Sequence, residues 1–186
     1  MPSWNARRSR DPVSNDATRP NSTTIAFEGE EDDGVIARNL FQAERVDEIK
    51  SRIQQLRPDS TRQWGKMSVA QMLAHCSAGI EMAVGEIRPP RALIGRIIGP
   101  AVKRVAVRDE EPMRRNSPTS KELVMTGDFD FESERERLGI LIDRFVAAGP
   151  SGCTDHPHAF FGPLTPEEWA ILMYKHLDHH LRQFGT

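Results

Sequence analysis

Residues 164–184 read LTPEEWAILMYKHLDHHLRQF, and this stretch carries the clearest helix signal of the chain. Thr165 stands where an N-cap is expected, Pro166 is at the first helical position, and Glu168 completes a capping box. Apolar residues then recur at intervals of three and four. The stretch therefore predicts a helix over 166–184.

Two histidines share one face of this predicted helix. Because each helical residue turns by about 100°, Trp169, His176 and His180 fall within roughly 40° of one line, which we take as the side facing the core. The same rotation places His179 about 80° from that line, at its flank. It places Asp178 about 180° away, where we expect the carboxylate to be exposed.

Imidazoles at positions i and i+4 of a buried face can bind one metal ion, as His176 and His180 would. The spacing alone is common, and hydrogen-bonded burial without a metal is an alternative for this pair. The pair lacks the glutamate of the H-E-x-x-H motif, which excludes a protease of that class.

The same periodicity predicts further helices over 42–57, 68–87, 91–107 and 131–148. Gly99-Pro100 predicts a kink or break in the third of them. A charged connection follows it over residues 108–129, in which Leu123, Val124 and Met125 resemble a buried anchor. Since no run alternates as a strand does, the sequence predicts an all-α bundle.

His75, in the second of these helices, is the natural third ligand. The apolar side of that helix centres near Cys76 and Ile80, about 100° from His75, so we expect His75 at a boundary with a neighbouring helix or a cleft. A lone histidine of this kind is more often a hydrogen-bonded core residue, and this alternative stays open. We expect Cys76 to be a small buried apolar residue, because adjacent helical residues diverge too far to share one ion.

The chain has 186 residues, of which 38% are hydrophobic and 28% charged, a composition that supports one domain with a proper core. Residues 1–33 are rich in Ser, Asn, Asp, Thr, Arg and Pro and carry few apolar side chains. We expect them to form a disordered extension, because they bury too little surface to offset backbone ordering. Residues 34–186 form the predicted folded domain.

Charge and hydropathy narrow the possible partners. With 25 basic and 27 acidic side chains the net charge is -2, which argues against a nucleic-acid partner. No apolar run approaches the roughly 20 residues of a membrane span, and no apolar segment follows Arg7-Arg8 as in an export signal. Two cysteines suit a reducing compartment. We expect a cytoplasmic protein without a membrane partner.

Two motifs resemble those of a bacterial family of unknown function, DUF1569, within the DinB-like superfamily. Residues 64–75, WGKMSVAQMLAH, resemble its first motif, and residues 161–185 are similar to its second. The similarity covers roughly residues 40–186. It implies an up-down four-helix bundle, here with an extra helical segment, that is commonly a homodimer.

The resemblance also implies a divalent metal held between helices by three histidines. One ligand comes from the second helix, which maps onto His75, and two come from the last, which map onto His176 and His180. Ala159 departs from the proline expected after a histidine, so the roles of His156 and His158 stay open.

Superfamily members include transferases and isomerases that use bacillithiol, mycothiol or glutathione. By this resemblance we expect a zinc- or nickel-dependent enzyme that acts on a small electrophile with a thiol or water. Three imidazoles leave at least one coordination position open on the ion. We expect this position to face a cleft between helices that is lined by apolar residues such as Met82 and Trp169. The alternative is a non-catalytic bundle of the stress-response type that binds a metal or a small ligand. The catalytic residues and the substrate are not predicted.

Overall fold

A computed structural model describes residues 37–108, 112–117 and 119–186 of the protein. The predicted extension, residues 1–33, lies outside these ranges. Within them the regular structure is helical, with no strand and one isolated bridge between His158 and Gly162. The predicted all-α class is confirmed for this part of the chain.

The described residues form five α-helices and two short 3₁₀ helices. The α-helices are α1 (Ala43–Gln55), α2 (Val69–Ala83), α3 (Leu93–Arg108), α4 (Phe131–Ala148) and α5 (Pro166–Gln183). The 3₁₀ helices are Lys121–Leu123 and Gly149–Gly152. No helix among the described residues is long and apolar enough to cross a membrane.

Local hydrogen bonds fix where the two histidine-bearing helices begin. The Ser68 hydroxyl accepts from the Gln71 amide at 3.2 Å, and the Gln71 side chain accepts from the Ser68 amide at 3.0 Å. Thr165 and Glu168 exchange the equivalent bonds at 3.1 and 2.9 Å. Both predicted capping boxes are therefore present, and they satisfy amides that would otherwise lack a partner.

One predicted helix limit is wrong, and of the kink or break predicted at Gly99-Pro100 the break does not occur. Helix α2 ends at Ala83 rather than near residue 87, because the amides of Glu86 and Ile87 both turn back to the Glu81 carbonyl. Helix α3 runs through Gly99-Pro100 without a break. Pro100 has no N–H to donate to the Arg96 carbonyl oxygen, so one backbone bond is lost there without ending the helix.

Four helices, α1, α2, α4 and α5, surround one hydrophobic core. Its largest fully buried side chains include Trp169, Phe145, Ile49, Leu73 and Leu177. Helix α2 is central, since all but two of its residues are buried and it packs against both α4 and α5. The small residues along α2 allow this close approach on several sides.

Helix α3 differs from the other helices in which residues face inward. Its glycines face inward, and a Cβ atom on Gly99 would lie 2.1 Å from the Phe160 carbonyl oxygen. Its aliphatic side chains face solvent, with Leu93 78% and Ile97 79% exposed. The glycines bring the helix against the loop before α5, and an apolar surface remains uncovered.

Candidate metal centre

Three imidazoles from two helices meet at one point. His75 comes from α2, and His176 and His180 come from α5. A ring nitrogen from each lies within 4.8 Å of the others, and the three pairs of ring centroids are separated by 4.8, 4.7 and 4.8 Å. The convergence predicted from the sequence is confirmed.

The orientation of His75 is fixed by the loop before α4. Its Nδ1 lies 2.7 Å from the Leu123 carbonyl oxygen, which can only accept, so Nδ1 carries the proton. The Nε2 atom then holds a lone pair and lies 2.9 Å from Nε2 of His176. Leu123 is buried, as expected of an anchor, whereas Val124 beside it is half exposed.

The orientation of His180 is fixed by Gln183. His180 Nδ1 donates to Gln183 Oε1 at 2.8 Å, and Gln183 Nε2 donates to the Trp64 carbonyl oxygen at 2.7 Å. The second bond determines which way the amide points, and the first then places the His180 proton on Nδ1. Nε2 of His180 is left free for a metal ion.

His176 occupies a space that α2 leaves open. Gly79 lies one turn beyond His75, and a Cβ atom on it would lie 2.9 Å from His176 Nδ1 and 3.0 Å from Cε1. The glycine therefore lets the imidazole approach the backbone of α2. Any larger residue would push the ring away from His75.

Burial keeps all three imidazoles neutral. It lowers the pKa of His180 to about 3 and, with the neighbouring imidazoles, lowers that of His176 well below its usual range. Burial also lowers the pKa of His75, although the hydrogen bond to Leu123 partly opposes this. Neutral imidazole is the form that ligates metals, so the donor set fits one divalent ion with bonds of about 2.0–2.1 Å.

A cavity of about 580 Å³ opens beside the histidines. Its apolar walls come from Trp64, Met67, Met113, Leu123, Val124 and Met125. This volume is within the range typical of small-molecule sites. A centre at such a cavity is accessible to a ligand, which a closed structural site is not.

The cavity walls differ from the predicted ones. Met82 and Trp169 do not line it, since both are buried in the core. Trp169 shares the histidine line of α5 but lies near the start of the helix, where the His158 ring packs 5.6 Å from it. The angular position of a residue on a helix shows which way its side chain points, but not how far along the helix it lies from the histidines.

His179 lies outside the three-histidine cluster, as its angle predicts. It is half-buried and lines the same cavity. Its Nδ1 donates to the Met113 carbonyl oxygen at 3.1 Å, and its ring lies 5.7 Å from that of Trp64. His179 therefore ties the segment 112–117 to α5.

The prediction that Asp178 is exposed is wrong. Its carboxylate is buried and lies 2.8 Å from Arg52 of α1 and 2.9 Å from Arg182. Arg52 also donates to the carbonyl oxygen of Thr186 at 2.9 Å. Helix α1 covers the side of α5 that faces away from the histidines, so both faces of α5 are buried.

His75 faces α5 and the cavity, as predicted for a boundary position, and it is buried there because α2 has neighbours on nearly every side. Cys76 is buried, as expected, and burial raises the pKa of its thiol strongly. Such a thiol is not a nucleophile at neutral pH.

His158 has a structural role. Its Nδ1 accepts from the amides of Phe160 and Phe161, both at 3.1 Å, and burial lowers its pKa to about 4. It therefore stays neutral and holds the loop before α5 in place. Neither it nor His156 lines the cavity.

Several residues of the site were not singled out from the sequence. Trp64 and Lys66 belong to the first motif, and Gln183 flanks the histidine line of α5. These three cavity residues could therefore have been identified from the sequence. Met113 and Arg114 lie in a connection without periodicity, and no sequence pattern indicates that they line the cavity.

Comparison with known proteins places the chain in a family. The family model described as "Protein of unknown function (DUF1569)" matches residues 36–186. The chain belongs to DUF1569. The matched residues of this DUF1569 protein include all three converging histidines and every described element. No curated protein and no solved structure matches the chain.

Proposed function

We propose that this DUF1569 protein is a metal-dependent enzyme in which His75, His176 and His180 hold one zinc or nickel ion. The observation that carries the proposal is the convergence of three neutral imidazoles at an open cavity. Three protein ligands with an accessible position are typical of reactive rather than structural metal sites. When bound, such an ion supplies Lewis-acid activation of a thiol or a water.

The chain's own residues prepare the site for that ion. The Leu123 carbonyl and the Gln183 amide hold the protons of His75 and His180 on Nδ1, so that each Nε2 faces the shared point. The apolar walls of the cavity exclude water from a substrate and strengthen electrostatic contacts inside it. We propose a thiol-dependent S-transferase or a hydrolase that acts on a small electrophile.

A second candidate function is a non-catalytic protein that binds a metal or a small ligand. One observation favours it: no carboxylate lines the cavity within the described part of the chain, so neither Asp nor Glu can act there as a general acid or base. Turnover of any electrophile would exclude this alternative.

We also propose the finer architecture that the motif resemblance implies. The four helices around the core suit a DinB-like up-down bundle. The exposed aliphatic face of α3 suits a homodimer, because a second copy of that face would bury it. Two unpaired cysteines, one of them buried, suit the reducing cytoplasm.

Metal analysis of the natively purified protein tests the proposed function. We expect about one zinc or nickel ion per chain in the wild type and near-complete loss in His176→Ala and His180→Ala, because two imidazoles hold such an ion poorly. His179→Ala is the matched control and should keep its metal, since His179 lies outside the cluster. Loss in His179→Ala with retention in His180→Ala would contradict the proposed ligand set.

A thiol-consumption screen with 1-chloro-2,4-dinitrobenzene and related electrophiles then tests the reaction. We expect metal-dependent consumption by the wild type that is absent in His176→Ala. A fully loaded protein that consumes no thiol and hydrolyses no ester would favour the binding protein.

A further inference from the structure

The charge of the cavity beside the histidines is one-sided. The chain has 27 acidic residues, yet no Asp or Glu is among the described residues that line the cavity. Two cationic side chains do line it, Lys66 before α2 and Arg114 in the connection after α3. Its other polar side chains, apart from the histidines, are uncharged: Gln71, Asn116, Ser117, Thr119, Thr126 and Gln183.

The two cations have no ion-pair partner among the described residues. Both are exposed, and neither side chain makes a hydrogen bond or a salt bridge there. Eight other cations of the described residues do have a carboxylate partner: Arg45, Lys50, Arg52, Lys103, Arg135, Arg137, Arg144 and Arg182. Lys66 and Arg114 are therefore available to a ligand.

The histidine centre adds to this charge. Three neutral imidazoles would leave the charge of a divalent ion uncompensated, whereas a carboxylate ligand would reduce it. The remaining wall is apolar and flexible, since Met67, Met113 and Met125 adapt to ligands of different shape. Charge favours an anionic group, and the walls favour an apolar body.

We propose that this cavity takes a small organic acid, with an apolar body against the methionine wall and its anionic group held by Lys66 and Arg114. The inference names the substrate class for the proposed function. It rests on the proposed function for the reaction at the metal. Binding of the acid does not depend on the metal, because the two cations attract the anion whether or not an ion is bound.

Binding of matched eight-carbon probes tests the inference. Octanoate, octanamide and octylamine share one apolar body and differ in charge, and their affinities for the zinc-loaded protein can be compared by isothermal titration calorimetry. We expect octanoate to bind at least tenfold more tightly than octanamide, and octylamine most weakly. Equal affinities for octanoate and octanamide would overturn the inference.

Paired variants identify the residues responsible. Lys66→Gln with Arg114→Gln should weaken octanoate about fivefold to tenfold, as two partly screened ion pairs predict, and leave octanamide unchanged. Arg57→Gln with Arg96→Gln removes the same charge from exposed positions outside the cavity and should change neither. An equal loss of octanoate affinity in both double variants would mean that only the net charge of the protein matters, and it would overturn the inference.

Repeating the titrations on metal-free protein separates the two proposals. A preference for octanoate that depends on Lys66 and Arg114, in a protein that takes up no metal, would support the anion site and contradict the metal enzyme. Metal uptake without any preference for octanoate would support the metal centre and contradict the anion site.

Discussion

Gln183 Oε1 accepts a 2.8 Å hydrogen bond from His180 Nδ1, while the same amide donates to the Trp64 carbonyl oxygen. One side chain thus connects the first motif of the chain to a histidine of the last helix. Because the orientation of a ligating imidazole depends on the partner of its other nitrogen, Gln183 is expected to control metal binding without touching the ion.

Gln183→Met should therefore weaken zinc binding about tenfold to 100-fold, the usual cost of losing such a partner. Gln183→Glu should lose less affinity than Gln183→Met, since the carboxylate still accepts from His180 although it cannot donate to the Trp64 carbonyl oxygen. Zinc affinity measured by competition with a chelator tests this. Gln54→Met, on an exposed position of α1, is the control, and a wild-type affinity in Gln183→Met would contradict the assigned role.

Gly79→Ala should reduce metal occupancy by displacing His176. The new Cβ atom would lie 2.9 Å from the imidazole Nδ1, closer than real Cβ contacts allow, so the ring must shift away from His75. Gly139→Ala on α4 is the matched control, because nothing lies within 4 Å of its Cβ position and alanine favours the helix. Equal zinc content in both variants would show that the site tolerates the shift.

Asp178→Asn should lower the free energy of unfolding by about 1–3 kcal/mol while metal content stays unchanged. The neutral amide removes the buried counter-charge of Arg52, which then pairs only with the more exposed Glu48. Urea unfolding measures the loss. Asp143→Asn breaks an exposed pair with Lys50 and should cost less than about 1 kcal/mol, so equal losses would contradict the importance of the buried pair.

His158 should make the metal-free protein less stable in mild acid. Its pKa is about 4 in the folded protein, against about 6.5 when unfolded, so between these values the unfolded chain binds a proton that the folded protein excludes. This contribution to stability is complete above about pH 6.5 and is lost as the pH falls toward 4. We expect His158 alone to contribute a loss of about 1–2 kcal/mol at pH 5 relative to pH 7.5, to which the three buried cluster histidines add.

His158→Asn should remove this component and leave a shallower pH dependence of the unfolding free energy. Asparagine can still accept a hydrogen bond from the Phe160 or Phe161 amide but does not titrate. Urea unfolding of both chelator-treated proteins at the two pH values makes the comparison. The same slope in both would mean that other groups account for the acid sensitivity.

Ile97→Glu should convert the proposed dimer to a monomer, because it places a charge in the exposed aliphatic face of α3. Sedimentation velocity measures the oligomeric state. Ile140→Glu on α4 replaces another exposed isoleucine and should leave the dimer intact. A wild-type protein that is monomeric at 100 µM would refute the proposed homodimer.

Local patterns in the sequence were sufficient to predict the main helices and the co-facial histidines of α5. The capping boxes at Ser68 and Thr165 connect residues three apart, and the 3.6-residue period is a property of the helix backbone, so both are readable without knowing the neighbours. The spacing of His176 and His180 follows from the same geometry, and the first motif added His75.

The neighbours of each helix face, in contrast, depend on how segments distant in the sequence pack together. Asp178 was predicted to be exposed because its angle is opposite to the histidines, yet α1 lies there and Arg52 pairs with the carboxylate. The large aliphatic residues of α3 face outward because Gly95 and Gly99 pack against the Phe160 backbone. The cavity receives Met113 and Arg114 from a connection without any periodic signal. Periodicity describes one helix at a time, whereas burial and the composition of a cavity depend on how separate segments pack together.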